Sequence, residues 1–466
     1  MNVLLVSTYE SGFQSLGTSV AAAHLLEADV RVNALDLSVT PTPDIDDLCR
    51  HDLVGFHLPM FHSVPAAVRV AGRLRQQEKA PKIFFYGLYA DLFREKLLGR
   101  HGDYVLGTDW EDQIVPLVKR SPDPSVVQLQ KRGFARQNRY RTPARQVLPH
   151  LGNYAKLVED GAHMLAGCVE ATRGCAHHCT HCPIPPVYGG KVTIIPEEVV
   201  LADIDNLVLM GARHVSFVDP DFLNVPRHGL SIMKAVNDKY PFLTYDFVAK
   251  VSHFRRHEQY VRELAKLGLK FVLTAMEFND NEVLDILKKK HDIDDLDWSI
   301  GLFHELGVHL KPTFVMVNPW AEVGDIMDLL EFVETRGLID AVDPIQYKIR
   351  LLLFNNSPLM DSVGLYASLG EESDYYTEWR HRNPAVEELH REICRWVDEA
   401  VERHLSTEDI FYGVKRRVAE RLPPGHRSSI GPAPVKLPPA ECPRFNVPNY
   451  CCTEPTEGLE ELKGLL

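Results

Sequence analysis

Along the first 120 or so residues, short apolar runs alternate with longer stretches whose apolar positions recur at helical spacing. The runs are 3–7, 30–34, 53–57, 82–86 and 104–107, and residues 64–76 are one of the helical stretches between them. Alternation of this kind predicts a parallel sheet covered by helices on both faces, a doubly wound Rossmann-like domain over residues 1–120. Ligands of such domains sit beyond the carboxyl ends of the strands. The loops 8–17, 58–63 and 87–91 are therefore predicted to face any site.

From 121 to 165 the periodicity fades. Six basic residues fall between Lys131 and Arg145, and the segment reads as an irregular, solvated connector, with steering of an anionic ligand as the other reading. Alternation resumes over residues 166–365, with strands predicted at 167–172, 214–219, 245–251, 270–277, 309–317 and 343–353. Helices are predicted between and after them at 196–210, 227–237, 258–267, 281–290, 296–306 and 323–336. Six such units fit a partial (βα)6 barrel, in which working residues come from the carboxyl ends of strands.

The last region, 366–466, opens differently. A helix is predicted at about 385–404, with Leu389, Ile393, Trp396, Val397 and Val401 on one face, and a second at about 408–421. Eight prolines between Pro423 and Pro448 then favour an extended strap. The predicted fold class is α/β: a doubly wound amino-terminal domain, a partial barrel, and a helical and extended carboxy-terminal region.

Composition narrows the function. With 466 residues and 45% hydrophobic positions, the chain can supply a core to each of two or three domains. No apolar run approaches the roughly 20 residues that span a bilayer, and the first residues lack the basic start of a signal peptide. A cytoplasmic protein without membrane partners is expected. A net charge of −13 argues against a nucleic-acid partner. Nine cysteines in a reducing compartment point to metal binding or thiol chemistry rather than disulfides.

Two thiol clusters stand out. Cys175, Cys179 and Cys182 form a CxxxCxxC spacing within ATRGCAHHCTHCP, directly after the first predicted barrel strand. Three thiolates fit a four-iron, four-sulfur cluster with one iron left open, whereas a zinc site would add a fourth donor from His177, His178 or His181. The second cluster is the tail pair Cys451 and Cys452, with Cys442 upstream. Adjacent Cα atoms lie about 3.8 Å apart, below the roughly 4.4 Å of a relaxed disulfide, so the pair is better suited, reduced, to gripping a thiophilic atom.

The phrase RGCAHHCTHCP, in a loop after the first strand of a βα repeat, resembles the radical S-adenosylmethionine superfamily. The amino-terminal domain and the phrase RQVLPHLGNY resemble the cobalamin-binding-like domain and the pre-core segment of one of its groups. That group's cobalt-ligating Asp-x-His-x-x-Gly motif is absent from the loop STYESGFQSLG, and His57 and His62 stand near the third strand instead. The tail YCCTEP resembles a subgroup ending in Cys-Cys-x-Glu-Pro, to which the arsinothricin-biosynthesis enzymes are similar in layout.

The resemblance implies that Cys175, Cys179 and Cys182 hold a [4Fe-4S] cluster, that S-adenosylmethionine is the cofactor, and that a flavodoxin or ferredoxin supplies electrons. It further places cofactor contacts at Asp219 in FVDPDFLN, Lys250 in VAKVS and Glu277 in LTAMEFNDNEVLDILKKKH, where a carboxylate offers two acceptors to ribose hydroxyls. Lys311, Asn318, Gln346, Lys348 and Arg350 are further strand-end candidates. The implied reaction moves a cofactor-derived carbon radical, 3-amino-3-carboxypropyl, to trivalent arsenic from arsenite held by Cys451, Cys452 and Cys442. The alternatives are a cobalamin-dependent radical methyltransferase or cyclase, and a thiol-rich metal-delivery protein without turnover.

Overall fold

The computed structural model describes residues 1–108, 110–120, 140–355, 357–433 and 441–447; Cys451 and Cys452 lie outside them. Strands β1 (Asn2–Ser7), β2 (Arg31–Asp36), β3 (Leu53–His57), β4 (Lys82–Tyr86) and β5 (Tyr104–Leu106) pair in the order β2-β1-β3-β4-β5. All four pairings are parallel. Side chains alternate across each strand, so β1 feeds two cores. Val3 and Leu5 pack with Phe13, Leu25 and Trp110 on one face, and Leu4 and Val6 with Val54, Phe56 and Val70 on the other. Strand order reverses between β1 and β3, which places a crevice beyond their carboxyl ends.

The second sheet begins with an antiparallel hairpin, β6 (Lys156–Glu159) and β7 (Ala162–Val169). A small hairpin follows, β8 (Thr172–Gly174) and β9 (Val192–Ile194). Then come β10 (His214–Phe217), β11 (Thr244–Val248), β12 (Leu269–Glu277) and β13 (His309–Phe314), which run parallel to β7. A separate hairpin joins β14 (Ala367–Glu372) to β15 (Thr377–His381), and the short β16 (Arg444–Phe445) returns to pair with β6. The resulting order is β13-β12-β11-β10-β7-β6-β16, a half-barrel. Tyr245 and Phe247 face the outer helices, and His214, Ser216 and Asp246 make a hydrogen-bonded cluster on the other face.

The expected sixth strand is cut down to one bridge, Val317 to Arg350. Residues 344–348 form a 3-10 turn instead, because Pro344 has no N–H to give a ladder and its fixed φ suits the start of a turn. The carboxy-terminal helices span Pro384–Glu402 and Thr407–Ala419. The first buries Leu389, Ile393 and Val397 as its periodicity predicts, whereas Val401 is exposed and Trp396 is only partly covered, packed over Gly413. No helix among the described residues is long and apolar enough to cross a membrane.

The two sheets are tied together by a residue the sequence placed in a solvated linker. Arg145 is 1% exposed; its guanidinium pairs with Asp203 at 2.8 and 2.9 Å and donates to the carbonyls of Cys168 at 2.6 Å and Gln14 at 3.3 Å. One side chain thus joins the connector, β7, the helix Glu197–Leu209 and the loop after β1. A second contact is aromatic: Phe61 and Phe93 from the loops after β3 and β4 pack on Phe354 at 5.8 Å and Tyr375 at 4.9 Å.

β16 covers the opposite end of the half-barrel. Cys442 N donates to Asp340 at 2.6 Å, and Lys311 Nζ reaches the carbonyl of Pro443 at 3.4 Å and Asp343 at 3.3 Å. These residues stand at the amino ends of the strands. Cys442 is 2% exposed, with its thiol pushed up to about 12 by burial. The structure therefore corrects two expectations: neither Cys442 nor Lys311 lies at the carboxyl-end mouth, because the strap is stapled beneath the sheet.

Candidate active site at the three-cysteine loop

The loop between β8 and β9 leaves β7 at its carboxyl end. Gly174 opens it with φ +86°, and a Cβ there would lie 2.2 Å from the carbonyl of Lys191, so only glycine closes the hairpin neck. Cys175, Cys179 and Cys182 form no disulfide, and each is partly exposed. Cys182 N donates to the carbonyl of Cys179 at 3.3 Å, which curls the last turn of the loop. Thr180 fastens this turn to the helix after β12, with N and Oγ1 donating to the carbonyls of Leu287 at 3.2 Å and Ile286 at 2.9 Å. Ala176 N donates to Asn224 Oδ1 at 3.4 Å from the loop after β10.

The donor chemistry bears on the two metals left open by spacing. Two histidines of the loop have other partners: His177 turns to Asp221 and His253, and His181 to Glu277 at 3.1 Å, whereas His178 is exposed and lies against Gly190. The loop therefore offers three thiols, with the exposed His178 beside them. That set fits an iron–sulfur cluster with one iron open, with Cys175, Cys179 and Cys182 as the residues that would hold it. Burial holds the Cys175 thiol above its ordinary pKa, so a metal bound there would displace its proton.

Two lysines face this loop. Lys250 Nζ donates to Cys179 Sγ at 3.4 Å, and burial lowers its pKa. Lys289 is 4% exposed; burial opposes its charge, but Glu277 and the thiols of Cys179 and Cys182 outweigh that and raise its pKa. Glu277 Oε1 accepts from Lys289 at 2.8 Å. Burial opposes the Glu277 charge too, but Lys289 and His181 pull its carboxyl well below the usual range. Its φ of 65° is rare for a residue with a Cβ and sits at a register shift where β12 parts from β13. Strain of this kind at a strand end marks a carboxylate held in place by its neighbours.

Other expectations are corrected. Asp219 does not reach toward a ligand: its carboxylate accepts from Ala171 N at 2.9 Å, Thr172 N at 2.5 Å and Thr172 Oγ1 at 2.6 Å, which fixes the turn entering the cysteine loop. Gln346 Oε1 accepts from Phe314 N at 3.1 Å, and Arg350 pairs with Glu387 at 2.9 and 3.0 Å over the Trp379 ring. Lys348 pairs with Asp398. Arg350 and Lys348 thus hold the helix Pro384–Glu402 on the barrel, and Asn318 caps its own turn through Val315 O and Trp320 N. Of the single positions named as cofactor contacts, Lys250 and Glu277 are the ones the fold brings to the cysteines.

The amino-terminal domain faces the same loop, as its strand order predicts. Its helix Leu88–Leu92, after β4, packs against Ile184–Tyr188, the helix that follows Cys182. At its switch point, His57 fills a cradle between Gly17 and Gly87; a Cβ on Gly17 would fall 2.2 Å from the imidazole. His57 Nδ1 lies 3.4 Å from Glu10 Oε2 and its ring packs 5.1 Å from Tyr86. His57 thus sits between the loops after β1 and β4 at the switch point.

Residues 169–333 match the family described as the Radical SAM superfamily. The chain is also similar to the solved cobalamin-dependent S-adenosylmethionine radical enzyme OxsB, with aqua-cobalamin and S-adenosylmethionine bound. That likeness has 14% identity and a TM-score of 0.67, covering 90% of this chain and 71% of that one. The radical S-adenosylmethionine methyltransferase TsrM from Kitasatospora setae, with cobalamin and a [4Fe-4S] cluster bound, aligns at 15% identity and a TM-score of 0.56. It covers 72% of this chain and 70% of that one. At these identities the likeness is one of fold.

Proposed function

With residues 169–333 as the radical S-adenosylmethionine domain of an enzyme, we propose that the chain acts on a small substrate enclosed between the cysteine loop and the carboxyl edge of the amino-terminal sheet. The observation that carries this reading is the three-thiol loop, with Lys250 on one of its sulfurs and the helix Leu88–Leu92 packed across its exit. A bound cluster supplies the electron that breaks a carbon–sulfur bond of the sulfonium cofactor. The chain's own residues do the rest. Lys250 and Lys289 place positive charge beside the thiolates, Glu277 is fixed as an acceptor for hydroxyl groups, and the docked domain excludes water from the reacting carbon.

For the acceptor we propose a thiophilic atom, arsenite first, gripped by Cys451 and Cys452 and receiving the 3-amino-3-carboxypropyl group. Support for this comes from the tail motif alone, and the third thiol is no longer part of it, since Cys442 is held beneath the sheet. A second reading, a cobalamin-dependent radical transferase, draws on the fold shared with OxsB and TsrM.

The nucleoside left from S-adenosylmethionine discriminates. Reduced, reconstituted enzyme with arsenite should release methylthioadenosine, and only when Cys451 and Cys452 are intact. 5′-Deoxyadenosine alone, together with a cobalt absorption band after reconstitution with cobalamin, would replace the arsenic reading by the second one.

A further inference from the structure

A second cluster of ligating side chains lies beside the cysteine loop and takes no part in the reading above. His177 comes from the loop itself, Asp221 from the turn after β10, and His253 from the helix Val251–Arg256 that follows β11. Their ligand atoms all lie within 4.8 Å of one another. Asp221 Oδ2 is 3.4 Å from His177 Nε2 and 3.0 Å from His253 Nδ1, while the other nitrogen of the His253 ring, Nε2, lies 3.1 Å from His177 Nε2.

The two distances from Asp221 Oδ2 are those of a coordination shell built on His177 Nε2, Asp221 Oδ2 and His253 Nδ1. Zinc and similar ions sit about 2.0–2.2 Å from nitrogen and oxygen ligands, which puts neighbouring ligand atoms roughly 2.9–3.6 Å apart in tetrahedral or octahedral geometry. The site is also built. Asp221 is 1% exposed, and its other oxygen accepts from Leu223 N at 3.0 Å, so the carboxylate is locked with Oδ2 facing the imidazoles. Asp221 Oδ2 and His253 Nδ1 are both buried without a hydrogen bond of acceptable geometry, although they are 3.0 Å apart. A buried carboxylate oxygen and imidazole nitrogen that face each other without a well-formed hydrogen bond are placed to share an ion.

We propose that His177, Asp221 and His253 form a mononuclear site for a divalent transition-metal ion of the zinc or ferrous class, distinct from the three-cysteine site. Two imidazoles and one carboxylate are borderline-to-hard donors that suit zinc or ferrous iron as a mononuclear ion. The ion cross-links the cysteine loop to the turns after β10 and β11, which fixes the loop independently of any cluster. Open coordination positions remain for water or a substrate oxygen. The site stands whether or not the proposed reaction is right, because its test reads metal rather than turnover.

Cobalt(II) is the probe. Full-length, anaerobically reconstituted protein is titrated with cobalt, and iron is measured in the same samples. Wild type is expected to take up about one equivalent more than His253→Ala or His177→Ala, with ligand-field bands of nitrogen and oxygen ligands and no thiolate charge transfer in the difference spectrum. Asp221→Asn keeps the shape of the turn; it is expected to retain its iron and circular dichroism and to bind cobalt about tenfold more weakly or worse. Equal uptake and affinity in wild type and Asp221→Asn, or thiolate bands in the difference spectrum, would overturn the proposal and leave the three residues as a hydrogen-bonded brace.

Discussion

Lys250 Nζ lies 3.4 Å from Cys179 Sγ, a hydrogen bond that runs from just past the end of β11 to the middle of the cysteine loop. A cation donating to a metal-bound thiolate favours the reduced, more negative state of the centre. Lys250→Met should therefore retain its iron but be harder to reduce, with a midpoint lower by tens of millivolts, where about 59 mV is a tenfold change in the one-electron equilibrium. A redox titration followed by electron paramagnetic resonance reads this; an unchanged or higher midpoint would remove Lys250 from the account.

Arg145 and Asp203 form a buried pair that joins connector, barrel and the loop after β1. Arg145→Met leaves Asp203 as an uncompensated buried charge and should lower unfolding free energy by about 3–5 kcal/mol. Arg145→Met with Asp203→Leu should recover part of that loss in denaturant titrations, because no lone charge remains.

Burial lowers the His62 imidazole to about 4, and the group is 8% exposed. The folded chain then binds fewer protons than the unfolded chain between about pH 6.5 and 4, so stability is full above that window and falls as pH drops through it. The shift corresponds to about 3 kcal/mol at most. His62→Gln should flatten the slope of unfolding free energy against pH in that window, and an unaltered slope would contradict the burial argument.

Cys442 separates the two thiol clusters experimentally. It is stapled to Asp340 at the amino ends of the strands, so Cys442→Ser should leave iron content and turnover unchanged and alter only stability. Loss of product in this variant, with iron intact, would return Cys442 to the acceptor site.

The parallel sheets were legible because β1, β3 and β4 are uninterrupted apolar runs, and buried parallel strands need little else. Period said nothing of Pro344, which turns an apolar run at the sixth strand position into a 3-10 turn. Nor could it show that Arg145 is buried, since its partner Asp203 lies 58 positions away. The cysteine loop stood out by its spacing, which left zinc and an iron–sulfur cluster both open until the resemblance of RGCAHHCTHCP was weighed. Within FVDPDFLN, however, spacing could not separate Asp219, which fixes a turn, from Asp221, which faces two histidines. Those histidines come from the loop and from the helix after β11, and only the fold brings them together.

The most direct measurement is S-adenosylmethionine cleavage by dithionite-reduced protein, made alongside iron analysis of the same samples. Wild type is expected to hold about four irons and release a cleaved nucleoside. Cys175→Ala, Cys179→Ala and Cys182→Ala should each lose both signals. Full iron retention and undiminished cleavage in the three variants, or stoichiometric zinc with no cleavage in wild type, would contradict the assignment of these cysteines to a radical-generating cluster.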